Sequence, residues 1–253
     1  MVRVISVCSG KGGVGKTTVA SNLAMALRKM NNRVVLLDFN FTTPHLSLHF
    51  DLFSHPLTLN NFLRKEIDLE STVFEHDSGL SIVPTSLDLI DIVNVNTDNL
   101  RGEIRGGFWY YDYVIIDSAP GLGKEALISL KVSDEVLFVV NPQIPSLVDV
   151  AKASKVLTSL ENKPKILGVV INKIKNEKYE ASLEEIKDFL EMPLLGIISD
   201  NKKFLENENK KITLLLGSVK SKAAKEFYNL ASNVSGTKHE SGFLNSIKVS
   251  LDV

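Results

Sequence analysis

Nine residues constrain this chain more than any others: Gly10-Lys11-Gly12-Gly13-Val14-Gly15-Lys16-Thr17-Thr18, set between an apolar run at 2–8 and an amphipathic segment from Thr17 onward. The spacing is G-x-x-x-x-G-K-[ST]. Glycines let the backbone curl so that successive N–H groups face anionic oxygens, Lys16 reaches the outer phosphates, and the Thr17 hydroxyl is available to magnesium. A helix opening at Thr17 adds the positive end of its dipole to the same place. The order strand, loop, helix is the one this chemistry needs, so the segment predicts a βα unit that holds a nucleoside triphosphate. Lys11 adds a second ammonium that repels Lys16 unless strong negative charge lies between them. The ligand is therefore highly anionic.

The string GKGGVGKTT resembles the deviant Walker A motif of the MinD/ParA group of P-loop ATPases. That resemblance implies a three-layer α/β fold, a mostly parallel sheet flanked by helices, with ATP and Mg²⁺ as ligands. It implies phosphate contacts along Gly10, Lys11, Gly12, Gly13, Val14, Gly15, Lys16, Thr17 and Thr18. It further implies an ATP-dependent homodimer in which Lys11 crosses to the partner's nucleotide.

The rest of the chain repeats the βα pattern, which points to a mostly parallel sheet. Strands are expected at 2–8, 34–38, 80–84, 113–117, 136–140, 166–172 and 194–198, several of them continuous Val/Ile/Leu runs suited to burial on both faces. Helices are expected at 17–30, 144–160, 182–190 and 221–232. Ser182 and Glu185 have capping-box spacing, and Pro193 follows the third helix. Residues 86–107 are polar and Gly-rich and give no clear element. The aromatic run 108–111 reads as packing beside a strand rather than as a base-stacking platform.

At the carboxyl ends of parallel strands, where open α/β sheets bind ligands, two acids stand out. Asp38 closes the second strand and suits an Mg²⁺ site, because that ion keeps several waters and takes few protein ligands. Asp117 ends the run Tyr113-Val114-Ile115-Ile116-Asp117, as an acid does when a buried strand carries it to magnesium. Thr17, Asp38 and Asp117 are thus the candidate metal ligands, and Lys11, Lys16, Asn40 and Asp117 the candidate catalytic residues. The resemblance implies D-x-D at the second strand, whereas this chain has Asn40. A neutral amide cannot take a proton, yet phosphoryl transfer leaves a base little to do, so slow turnover with a long-lived ATP state is expected. Asn40 either orients water or is a loop residue without a catalytic part.

The resemblance carries three further assignments. In the string IIDSAPG, Pro120 and Gly121 would lie near the γ-phosphate. Asn172 would bind adenine, since an amide can donate to a ring nitrogen and accept from the exocyclic amine. Ser199 and Asp200 would form the other rim of the base site, with Ser199 where the family commonly has proline. His45 and His49 stand four apart, as two ligands on one helical face would, but no third ligand accompanies them.

A formal net charge of -1 over 253 residues gives no global pull towards nucleic acid or anionic lipid. The single cysteine, Cys8, excludes an intrachain disulfide and reads as a buried small residue. No apolar run approaches the ~18 residues of a membrane span, so a cytoplasmic protein with at most peripheral membrane contact is expected. Lys202, Lys203, Lys210, Lys211, Lys220, Lys222 and Lys225 form either a patch for DNA phosphates or solvated helix faces. The organisation expected is an ATPase domain at 1–232, a flexible linker at 233–242 and an amphipathic segment at 243–253. There Phe243, Leu244, Ile247 and Leu251 make one apolar stripe, which resembles the membrane-targeting tail of the MinD branch. That tail meets a membrane, its own domain or a partner.

Three function classes stay open on these residues: a MinD-like dimerising switch that positions other components and answers to an activator protein, a ParA-like DNA partition ATPase, and an ATP-binding regulator with little turnover. A metal-cluster carrier would need thiolates from another chain, since Cys8 stands alone.

Overall fold

The computed structural model describes residues 1–52, 55–86, 99–175 and 177–237. The expected segment 243–253, with its apolar stripe, and residues 87–98 lie outside the described residues. Eight strands form one sheet: β1 (Arg3–Cys8), β2 (Val34–Phe39), β3 (Phe74–Glu75), β4 (Ser81–Val83), β5 (Tyr113–Ser118), β6 (Glu135–Val140), β7 (Lys165–Ile174) and β8 (Leu194–Ser199). Their order across the sheet is β3-β4-β2-β5-β1-β6-β7-β8. All neighbouring pairs are parallel except β3 with β4. The described helices are α1 (Lys16–Lys29), α2 (Leu46–Phe50), α3 (Leu59–Leu63), α4 (Leu100–Gly107), α5 (Lys124–Val132), α6 (Ile144–Thr158), α7 (Leu183–Leu190), α8 (Lys203–Asn209), α9 (Leu214–Gly217) and α10 (Lys222–Ser235).

Alternation along the strands divides the interior into layers. On one face Ile5, Val7, Leu36 and Ile115 meet α1 and α10. On the other, Val35, Leu37, Val114 and Ile116 meet α3 and α4, and Phe138, Val140, Val169 and Ile171 meet α6 and α7. Strands covered on both sides have no polar face to show, which is why β2 is buried at all six positions. Two faces of helix around one sheet make the expected three layers.

Some expectations need correction. Residues 100–107, read as a Gly-rich stretch, form α4, because Leu100, Ile104 and Phe108 recur every fourth residue and all three are buried. The boundary expected at 232 falls inside α10, which runs to Ser235; Val234 still packs in the core, and Gly236 ends the helix at φ 74°. Within the aromatic run, Phe108 and Tyr111 pack as expected, whereas Trp109 is 74% exposed. The seven lysines expected as a patch or as solvated faces all lie exposed; Lys211 pairs with Asp51 at 2.7 Å and Lys222 with Glu226 at 3.7 Å. Among the described residues no helix is long and apolar enough to cross a membrane.

Candidate functional site

The phosphate-type loop leaves the central strand β1 and enters α1 through Gly15, whose φ of 87° serves as the helix N-cap. A side chain there is excluded twice, by that dihedral and by Asn172 Nδ2, which a Cβ would approach to 2.3 Å. Gly10 is fixed by contact instead: a Cβ would come within 2.6 Å of the Asp149 backbone on α6. The outward carbonyls of the loop are fastened from β6 and β7. Asn172 Nδ2 donates to Val14 O at 2.8 Å, Asn141 Nδ2 donates to Asn172 O at 3.0 Å, and Lys173 Nζ donates to Gly13 O at 2.8 Å. Lys173 and Asn141 carry no sequence signal for this task, because their partners are backbone atoms 160 and 31 residues away.

Parallel register then brings the two acids together. Asp38 on β2 lies opposite Asp117 on β5, and Val7 of β1 lies opposite Asp117 on its other side. Both carboxylates are fully buried. Lys16, itself buried, donates to Asp117 Oδ1, and Asp38 Oδ1 accepts the Asn40 N–H at 2.9 Å. The second oxygen of each acid has no partner among the described residues. Burial, and next the charge of Asp117, push the Asp38 carboxyl up to about 8. Two neighbouring acids with one orphan oxygen each, together with the Thr17 hydroxyl at the start of α1, are a set of hard oxygen donors, and that donor set fits a small divalent cation. Among the described residues no cluster of three or more His, Cys, Asp or Glu could hold a metal by itself.

Two connected cavities open over the loop. One of about 290 Å³ is lined by the loop from Ser9 to Thr18 and by Asn40, Thr43, His45, His49 and Pro120. The other, about 460 Å³, is lined by Asn141, Asn172, Tyr179, Asp200, Leu205 and neighbours. Gly13, Thr18, Lys173 and Glu208 border both. Lys11 is half-buried at the first cavity and forms no ion pair with any described residue.

Three expected roles meet obstacles in this geometry. The Gly121 N–H, expected near phosphate, donates instead to Ser9 O at 3.0 Å, which pins the loop after β5 to the loop after β1. Ser199 turns away from the larger cavity: its N–H and hydroxyl donate to Glu226 at 2.9 and 2.6 Å, so Asp200 alone of that pair lines the rim. The Asn40 amide is closed on its own turn, with Nδ2 donating to Thr43 O at 2.6 Å and Oδ1 accepting from Thr43 Oγ1 at 3.1 Å. Glu125 of α5, which sequence reading did not single out, holds the same turn by accepting the Phe41 N–H at 3.0 Å and the Thr42 hydroxyl. Cys8 is buried as expected, and burial pushes its thiol up to about 11.

Comparison with known proteins agrees with this geometry. Residues 5–214 match the CobQ/CobB/MinD/ParA nucleotide binding domain. An uncharacterised ATP-binding protein of Methanocaldococcus jannaschii is 30% identical, over 95% of this chain and 90% of its own. The septum site-determining protein MinD of Pyrococcus horikoshii, solved with Mg-ADP, is 30% identical and superposes with a TM-score of 0.85, covering 92% of this chain and 96% of that one. The cell division ATPase MinD of Pyrococcus furiosus is also 30% identical, with a TM-score of 0.86 over 93% and 99%. With a match over most of its length, and with the loop, the paired acids and the sheet order in place, this chain belongs to the CobQ/CobB/MinD/ParA family of nucleotide-binding proteins.

Proposed function

We propose that this protein is a dimerising ATPase switch of the MinD type, whose ATP-bound form pairs two copies and whose slow hydrolysis separates them. The observation that carries the reading is the juxtaposition of Lys16 on Asp117 with two orphan carboxylate oxygens, under a loop whose carbonyls are tied outward. Phosphate oxygens entering the smaller cavity compete with Asp117 for the Lys16 ammonium. With Lys16 drawn to phosphate, Asp117 would be free to hold magnesium together with Asp38 and Thr17. That ion, when bound, supplies positive charge against the phosphate oxygens. The base would lie in the larger cavity beside Asn172 and Asp200, where Asn172 Oδ1 can accept and one of the two Nδ2 hydrogens remains after the bond to Val14 O.

Lys11 remains. A cation at the cavity mouth with no ion-pair partner among the described residues suits an anion shared with a second copy, and that is the trans role the family resemblance implies. Turnover is slow on this reading because Asn40 is neutral and its amide is spent on Thr43. Sedimentation velocity with Mg-ATP against Mg-ADP tests the proposal: the natural chain should dimerise with ATP alone and Lys11→Ala should stay monomeric with either. A natural chain that is monomeric in ATP removes the switch.

The biological setting follows the relatives named for septum-site determination and cell division. We place this protein in cytoplasmic positioning of that kind, with an activator protein, and with reversible membrane contact through residues 243–253. Partition on DNA is the weaker reading, since Lys211 and Lys222 face acids and the net charge is -1.

A further inference from the structure

The smaller cavity contains a polar side chain that no role above absorbs. His49 sits in α2, is 5% exposed, and lines the cavity together with Lys16, Thr17 and Thr43. It makes no hydrogen bond or ion pair with a described residue. Its side chain lines the cavity without a partner among the described residues, so its position suits a hydrogen bond to a ligand or a water held there. Several of the other groups bordering this space are committed elsewhere or can only donate. Lys11 and Lys16 only donate, the Asn40 amide is closed on Thr43, and Glu208 and His45 are exposed at the rim.

We propose that His49 is a positioning residue for ATP hydrolysis, accepting a hydrogen bond from the attacking water and so taking the part that Asn40 cannot play. The inference rests on the ATPase reading above. A neutral imidazole can accept at one ring nitrogen and donate at the other. Burial holds His49 in that neutral form by lowering its pKa, while the negative charges of Glu208 and Asp117 oppose the shift and His45 adds to it. In the step itself the water oxygen bonds to the γ-phosphorus as the bond to the bridging oxygen breaks. ADP leaves with that bond's electron pair, and the water's proton ends on the released phosphate. His49 neither gains nor loses a proton overall. Orientation is its whole contribution, which is consistent with a loose transition state that needs little base.

The test is single-turnover hydrolysis of Mg-ATP by the full chain, with ATP affinity and thermal unfolding measured beside it. His49→Leu keeps the volume and removes the hydrogen bond; His49→Gln keeps an acceptor. We expect His49→Leu to hydrolyse about tenfold to a hundredfold more slowly, at or below the lower limit of the ~10²–10⁴ that proton-transferring groups contribute, since His49 only orients water, with ATP affinity within about threefold. His49→Gln should recover most of the rate. A His49→Leu chain that hydrolyses at the natural rate overturns the proposal and leaves the ATPase reading intact. So does a His49→Leu chain that loses affinity and rate together without rescue by glutamine, since that marks packing rather than positioning. If the natural chain binds ATP but releases no phosphate, the ATPase reading and this inference fall together.

Discussion

Asp38 is the residue at which the ligand-free site works against the fold. Its carboxyl is raised to about 8 against an ordinary value near 3.8, by burial first and by Asp117 second. A folded state that binds a proton more tightly than the unfolded chain loses stability as pH rises from the unfolded value through the folded one. In EDTA the natural chain should therefore weaken steadily between about pH 4 and pH 8. Asp38→Asn should remove that slope, so its thermal midpoint gains more over the natural chain at pH 8 than at pH 5. Magnesium with nucleotide should raise the natural chain's midpoint and raise the variant's far less, because an orphan oxygen that could hold the ion is gone. Equal pH slopes in the two chains would show that Asp38 is not the titrating group. The sequence made both acids legible, since each ends an apolar strand. It could not reveal that the neighbour of Asp38, Asn40, would turn its amide onto Thr43, because Asx-type turns compete with other partners over a range of two or three residues. Nor could it reveal Glu125, which holds that turn from 83 residues away.

At the scale of elements, what was legible were the units with a strong period or a continuous apolar run. β1, β2, β5, β6, β7 and β8 all fall within two residues of expectation, and so do the starts of α1, α6, α7 and α10. Ser182 caps α7 with Glu185 as the spacing foretold. The elements that were missed are mostly short: α2 and α3 have five residues and α9 four, too few for a period to declare itself. α5 was missed although it has nine residues, and α4 because its glycines hid a four-residue apolar repeat. Glycine also supplies an element-scale prediction. Gly168 lies at the register shift of β7 against β6, with φ 152°, and a Cβ there would come within 2.1 Å of Pro193 O. Backbone cannot step aside cheaply, so Gly168→Ala should cost about 2–4 kcal/mol in urea unfolding. Four residues of strand, roughly 13 Å, separate it from Asn172. ATP affinity of the folded variant should accordingly stay within about threefold. Gly10→Ala is the contrasting case, because the atoms it would strike belong to Asp149 beside the loop, and there stability and affinity should fall together.

For the whole molecule the open link is between nucleotide state and location. α10 runs to Ser235, and the spacing of Phe243, Leu244, Ile247 and Leu251 further along the sequence would, in a helix, set an apolar stripe against Asn245, Lys248 and Asp252. One positive and one negative charge on the polar side cancel, so attraction to anionic lipid is slight and binding must rest on a small apolar area. A single segment of this kind holds a bilayer weakly. Two segments on one dimer act together, and linkage multiplies avidity by about 10²–10⁴ when both reach the surface. On the proposed switch, dimerisation by ATP would become membrane attachment by ATP without any change in the tail itself. Co-sedimentation with liposomes checks this for the full chain and for a chain ending at Gly242. We expect pelleting of the full chain with Mg-ATP, little with Mg-ADP, and none of the shortened chain in either state. Weak dependence on the fraction of anionic lipid should accompany it, since Lys248 and Asp252 offset each other. Pelleting that ignores nucleotide would separate the tail from the switch. A full chain that stays in the supernatant as a dimer would assign the stripe to a protein partner or to its own domain.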